Sequence, residues 1–169
     1  MIRNCVIFLL LLGMLSCEKS ANRMSNGSAA LQDGSKWKIN QGNFQIDNDL
    51  VLDLGLTLRN GQHYQDLSIN GIPVGLDTIH LVDYEYWGQP LTSHIFTTIG
   101  DEVTELFELT ATEDFSSWVL ISDVKDDVIT GQFRLQFVLE ENWNFPVRFN
   151  FIGLDTIQMT DGEFQIYRN

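Results

Sequence analysis

From Val128 to Tyr167 apolar side chains recur at every second position. Phe133, Leu135, Phe137 and Leu139 alternate with Gln132, Arg134 and Gln136, and Phe145, Val147, Phe149 and Phe151 alternate with Arg148 and Asn150. Successive side chains of a strand point to opposite faces, so this pattern puts the apolar set on one side of a half-buried strand. The run closes with Ile157 and Met159, then Thr160-Asp161-Gly162, then Phe164 and Ile166. Asp-Gly between alternating segments is a hairpin signal. The spacing predicts an antiparallel β-meander with one face built for a core.

The rest of the body follows the same rule. Trp37, Ile39, Phe44 and Ile46 form a short pair around Gln41-Gly42-Asn43, and Trp37 reads as core. Leu50, Leu52, Leu54, Leu56 and Leu58 alternate with Asp53 and Thr57 on the other side. Asn60-Gly61 and Asn70-Gly71 both read as turns. Ile79 and Leu81 lead to a loop at Trp87-Gly88-Gln89-Pro90; Ile95 to Ile99, Phe107 to Leu109 and Trp118 to Ile121 read as further strands. Glu102 to Leu109 is the one segment that is ambiguous between strand and a brief helix. Asp123 to Asp127 reads as an acidic turn. Roughly ten short strands separated by turn signals predict an all-β antiparallel meander. The expected form is a β-sandwich or a flattened, calycin-like barrel.

The start of the chain has a different character. Arg3 followed by the apolar run Val6 to Leu12 reads as a secretory signal peptide, too short to span a bilayer. Met14-Leu15-Ser16-Cys17 resembles the lipobox cut by bacterial lipoprotein signal peptidase, with Met14 where leucine is usual. The resemblance implies cleavage before Cys17 and a diacylglycerol on its sulfur. With Cys5 inside the signal, Cys17 is the lone cysteine of the mature chain. Glu18 to Lys36, rich in Ser, Asn, Gly and Ala, reads as a flexible tether. The expected organisation is a signal peptide over 1–16, lipidated Cys17 and tether over 17–35, and one β domain over 36–169.

The lipobox, Gly34-Ser35-Lys36-Trp37, Asp127 to Phe133 and Thr160 to Phe164 together resemble small lipoproteins of Bacteroidota that carry a domain of unknown function. That resemblance implies a lipid-anchored place in the outer membrane, periplasmic or surface-exposed, and implies no activity.

The chain holds 23 acidic residues against ten Lys and Arg, a net charge of −13. Nucleic acid as a partner is excluded on this ground, since phosphate binding needs Lys and Arg. There is no G-x-S-x-G serine motif, and His63, His80 and His94 lack metal-ligand spacing, although His80 and His94 could meet across a hairpin. Asp47-Asn48-Asp49 and Asp123 to Asp127 are the nearest approach to a calcium site and read as turns. No metal, cofactor or catalytic residue is called for, and the expectation is a non-enzymatic domain.

Aromatic residues in loops are the remaining signal. Tyr86, Trp87 and Trp143 stand among polar turn residues, where rings can stack on sugars or fix a protein interface. They are the candidate ligand-binding residues; Trp118 reads as a cap on the β-structure. The expected partner is an extracytoplasmic glycan or an envelope protein. Two alternatives remain open: inhibition of a cationic enzyme such as lysozyme, and a purely structural envelope role. Finally, Gly75-Leu76-Asp77-Thr78-Ile79 recurs as Gly153-Leu154-Asp155-Thr156-Ile157. The echo reads as two strand entries. Residues 153–159 are then expected to form a hairpin with 163–167 through Asp161-Gly162, while the first copy runs on as strand through Tyr86.

Overall fold

The computed structural model describes residues 23–48, 50–75, 77–81, 85–86, 89–90, 92–110, 112, 114–125, 127–140 and 155–168. Alternating apolar residues form strands throughout: β1 (Asn26–Leu31), β2 (Lys36–Ile39), β3 (Gln41–Ile46), β4 (Val51–Asn60), β5 (His63–Pro73), β6 (Thr78–His80), β7 (Glu85–Tyr86), β8 (Gln89–Pro90), β9 (Thr92–Ile99), β10 (Glu102–Leu109), β11 (Trp118–Lys125), β12 (Val128–Leu139) and β13 (Thr156–Tyr167). Eleven of these make one antiparallel sheet, and β7 pairs with β8 apart from it. The protein is all-β, as expected. The ambiguous segment is the strand β10.

The sheet runs in the order β2-β1-β13-β12-β10-β9-β5-β4-β3. Along β12 one edge is shared: Val128 to Arg134 pair with β11, and Phe137 to Leu139 pair with β10. Strand β6 adds to the far side of β11. The two terminal strands of the order, β2 and β3, are separated only by Asn40. Its N–H donates to the Thr57 carbonyl at 3.0 Å, and its side chain bonds the Arg59 carbonyl at 2.8 Å and the Arg59 N–H at 3.0 Å. The sheet therefore curls until both of its ends lie in one stretch of chain, without a continuous ladder all the way round. This corrects the expected pair around Gln41-Gly42-Asn43: β2 pairs with β1, and β3 with β4.

The folded body also begins earlier than expected. Asn26–Leu31, inside the stretch read as tether, is a strand held between β13 and β2. Ala29 is buried there, and the Ser25 hydroxyl accepts the Tyr167 N–H at 3.2 Å. Small Ser, Gly and Ala side chains carry little hydrophobic signal, yet they fit where the backbones crowd. A Cβ on Gly27 would run into the Glu163 carbonyl oxygen.

Two expected turns are bulges inside long strands. At Asn70-Gly71 strand β5 continues to Pro73, with Gly71 at a φ of 82° and the register slipping between Leu52 and Leu54. At Asp161-Gly162 strand β13 also continues, with Asp161 at a φ of 50°. The expected hairpin between 153–159 and 163–167 is therefore absent; the described parts of both segments lie in one strand, paired with β12. Each supposed turn instead adds a residue, which bends the strand and increases its twist. In the first copy of the echo, β6 ends at His80 and residues 82–84 lie outside the described residues. By contrast Asn60-Gly61 does turn the chain, joining β4 to β5 with Asn60 opposite His63.

The inward faces fill the interior. Phe107, Phe133, Phe137, Leu52, Leu54, Leu56, Leu67, Ile69, Ile95 and Ile121 are all fully buried, with Ile157, Met159, Phe164 and Ile166 from β13. Trp37 is core, as expected, and its indole N–H donates to Gln65 Oε1 at 2.9 Å. The buried Thr97 hydroxyl likewise donates to Glu105 Oε2 at 3.0 Å. Leu50 departs from the leucine alternation: it is 62% exposed.

Candidate functional site

A hollow lies on the outer face of β11, β12 and β13. It encloses about 640 Å³ and is lined by Trp118, Gln132, Arg134, Thr160, Asp161, Gly162 and Glu163. Its residues arrive by strand register. Val119 and Ile121 point inward, so Trp118 points outward, opposite Arg134 of β12. Gln132, next on the same face, stands opposite Glu163 of β13. The bulge completes the rim, because the left-handed backbone at Asp161 turns that side chain out to solvent.

Gly162 makes this possible. A Cβ there would come within 2.5 Å of the Phe133 ring and 2.6 Å of the Phe133 carbonyl oxygen. The floor of the hollow thus rests on the buried Phe133 ring.

The Arg134 guanidinium lies 4.2 Å from the centroid of the Phe115 ring. That contact holds the cation in place through the ring quadrupole. Its buried Nε has no hydrogen-bond partner among the described residues. The hollow therefore presents an indole, a fixed planar guanidinium, a primary amide, a hydroxyl and two carboxylates. Such a set can stack on one face of a ring while bonding to several hydroxyls around its edge.

A second, smaller hollow of about 300 Å³ lies over β3, β4 and β5, lined by Asn43, Gln45, Asp53, Ser68 and Asn70 among others. Ser68 Oγ is 2.8 Å from His94 Nε2, and Glu108 stands on the other side of His94 in the register. Burial holds His94 below the usual histidine pKa, against the opposing pull of Glu108. The order serine, histidine, acid is that of a nucleophile and its base. Yet Ser68 sits in mid-strand, paired with Gly55 on one side and His94 on the other. The backbone N–H groups around it belong to the ladders, so among the described residues no backbone oxyanion hole faces the serine. This row is cross-strand hydrogen bonding.

His80 and His94 do not meet across a hairpin. His80 pairs with Trp118 on β11 and its ring bonds Ser116 at 2.9 Å. Asp47 caps a turn, its carboxylate accepting the Val51 N–H at 2.8 Å. Among the described residues no three His, Cys, Asp or Glu side chains cluster as metal ligands.

Of the residues expected to bind, Cys17, Trp87 and Trp143 lie outside the described residues. Tyr86 is on β7, paired with Gln89. Trp118, read from sequence as a cap, is the aromatic residue of the larger hollow. The inward phase of Val119 and Ile121 was the signal that would have found it.

No protein family, curated protein or solved structure matches this chain.

Proposed function

We propose that this chain is a lipoprotein held to the outer membrane through Cys17, with a non-enzymatic β domain that binds an extracytoplasmic glycan in the hollow beside Trp118. The observation that carries the reading is the company Trp118 keeps: Arg134, Gln132, Thr160, Asp161 and Glu163 surround an indole in about 640 Å³. That volume falls in the range of small-ligand sites. The hollow is open and mostly polar, as a sugar ligand requires. Tyr86, Trp87 and Trp143 are proposed to add further stacking surface. The Leu15-Ser16-Cys17 sequence supports the anchor.

Titration with envelope-derived oligosaccharides, followed by tryptophan fluorescence, tests the reading. Trp118→Ala is expected to weaken binding at least tenfold while leaving the fold intact. Unchanged affinity in a folded Trp118→Ala variant would remove the hollow as the site.

The net charge of −13 favours a second reading, inhibition of a cationic enzyme such as lysozyme. Charge-steered association slows as salt rises, whereas stacking on a sugar does not. Association rates measured with lysozyme at low and high salt separate the two.

A further inference from the structure

We propose that one end of the curled sheet is a membrane-facing surface, which seats on the lipid headgroups of the bilayer holding the Cys17 anchor. The inference rests on the lipoprotein reading.

The surface is defined by register. Strands β12 and β13 meet at Val128 and Tyr167, and β4 and β5 end together at Val51 and Pro73. Arg168 lies over Phe44 near the close of β3, and the Arg168 N–H donates to the Asp127 carbonyl at 2.9 Å. The first described residue, Arg23, is at this same end, paired with Asp127 at 2.6 Å and lying over the Tyr167 ring.

Three of the four large apolar side chains that are exposed among the described residues are here: Met24 at 71%, Leu50 at 62% and Val124 at 36%. Leu50 is the most telling. Its φ is 60°, a conformation that favours Gly or Asn, and its side chain is mostly in solvent. Asp47 fixes this turn through its backbone and its carboxylate, so the leucine is held outward rigidly. Folding gains little from a leucine there. Among the described residues at this end Arg23 pairs with Asp127 and Lys125 with Asp123, and Tyr167 and the two arginines suit a headgroup layer.

The leash decides the partner. Arg23 lies six residues after Cys17, a reach of about 20 Å at full extension. The 12 residues of β12 rise roughly 40 Å along the strand. The lipid therefore stays close to this end and cannot lie under the far turns at Gly61-Gln62 and Gly100-Asp101. Seated in this way, the Trp118 hollow opens sideways, above the bilayer surface.

The test uses the full-length lipidated protein in phosphatidylcholine liposomes that contain headgroup-spin-labelled lipid. A bimane fluorophore is placed on Leu50→Cys, on Val124→Cys, and on Gln62→Cys at the opposite end. Quenching is expected to be at least threefold greater at 50 and 124 than at 62. The parent protein is expected to float with the liposomes and take up no label, because its Cys17 thiol is blocked. Equal quenching at the three sites in a floating protein overturns the orientation and leaves the anchor standing. A parent that takes up label and does not float overturns the anchor, and the orientation with it.

Discussion

The Asp53 carboxylate accepts a 3.0 Å hydrogen bond from the backbone N–H of Gly71. Gly71 is the left-handed residue of the β5 bulge, and its N–H goes to a side chain of the partner strand rather than to a backbone carbonyl. Sequence position alone would not link these two residues, since the pair depends on β4 and β5 lying side by side. Asp53→Ala is expected to lower stability by about 1 kcal/mol, the typical net value of such a bond. Gly71→Ala should cost about 1–2 kcal/mol, because an alanine there must adopt positive φ. Urea unfolding checks both, through a lower midpoint with unchanged slope.

Gly162→Ala is expected to be more damaging. The added methyl meets the Phe133 ring and its carbonyl oxygen, and the backbone atom cannot swing aside. A loss of about 3 kcal/mol is expected, at the upper end for an overpacked site. The hollow should also distort, so oligosaccharide binding should fall even under conditions where the variant stays folded. Calorimetry and a ligand titration on the same sample check the two effects together.

Gln65→Leu keeps the apolar volume near Trp37 but removes the acceptor of its indole N–H. A buried donor left without a partner costs about 1–3 kcal/mol. The emission of Trp37 should shift to the blue as the indole loses its hydrogen bond. Gln65→Glu offers the same acceptor geometry and should restore the emission, though at a cost for burying a charge.

His94 makes stability depend on pH in a defined direction. Its folded pKa lies below that of a free histidine, chiefly through burial, with Glu108 pulling the other way. Below pH about 6.5 the unfolded chain therefore binds more protons at this site than the folded one. The contribution is fully present above that pH and is lost as pH falls through the depressed folded value. The difference in urea midpoint between the parent and His94→Gln should be constant above pH 7 and shrink toward pH 5. A difference that is flat across this range would place no linked proton on His94.

The sequence by itself determined the fold class and most of the core. Leu52, Leu54, Leu56, Phe133, Leu135, Phe137, Ile157 and Met159 are legible from alternation, because the two faces of a strand are set by covalent geometry. What only the tertiary structure decided is the use made of each glycine pair. Asn60-Gly61 closes a hairpin, whereas Asn70-Gly71 and Asp161-Gly162 bulge within continuous strands. Locally the three specify the same thing, a residue at positive φ. Whether the chain reverses there depends on partner strands: β4 runs past Asn70 to Leu52 and Val51, and β12 runs past Asp161 along all of β13. The first strand was hidden for a related reason: Gly27 is required by the close approach of β13, and its Ser and Ala neighbours leave no hydrophobic period. The Trp118 hollow was half legible. Its outward phase was written in Val119 and Ile121, but its companions come from β12 and β13, and only register brings Arg134, Asp161 and Glu163 to one face.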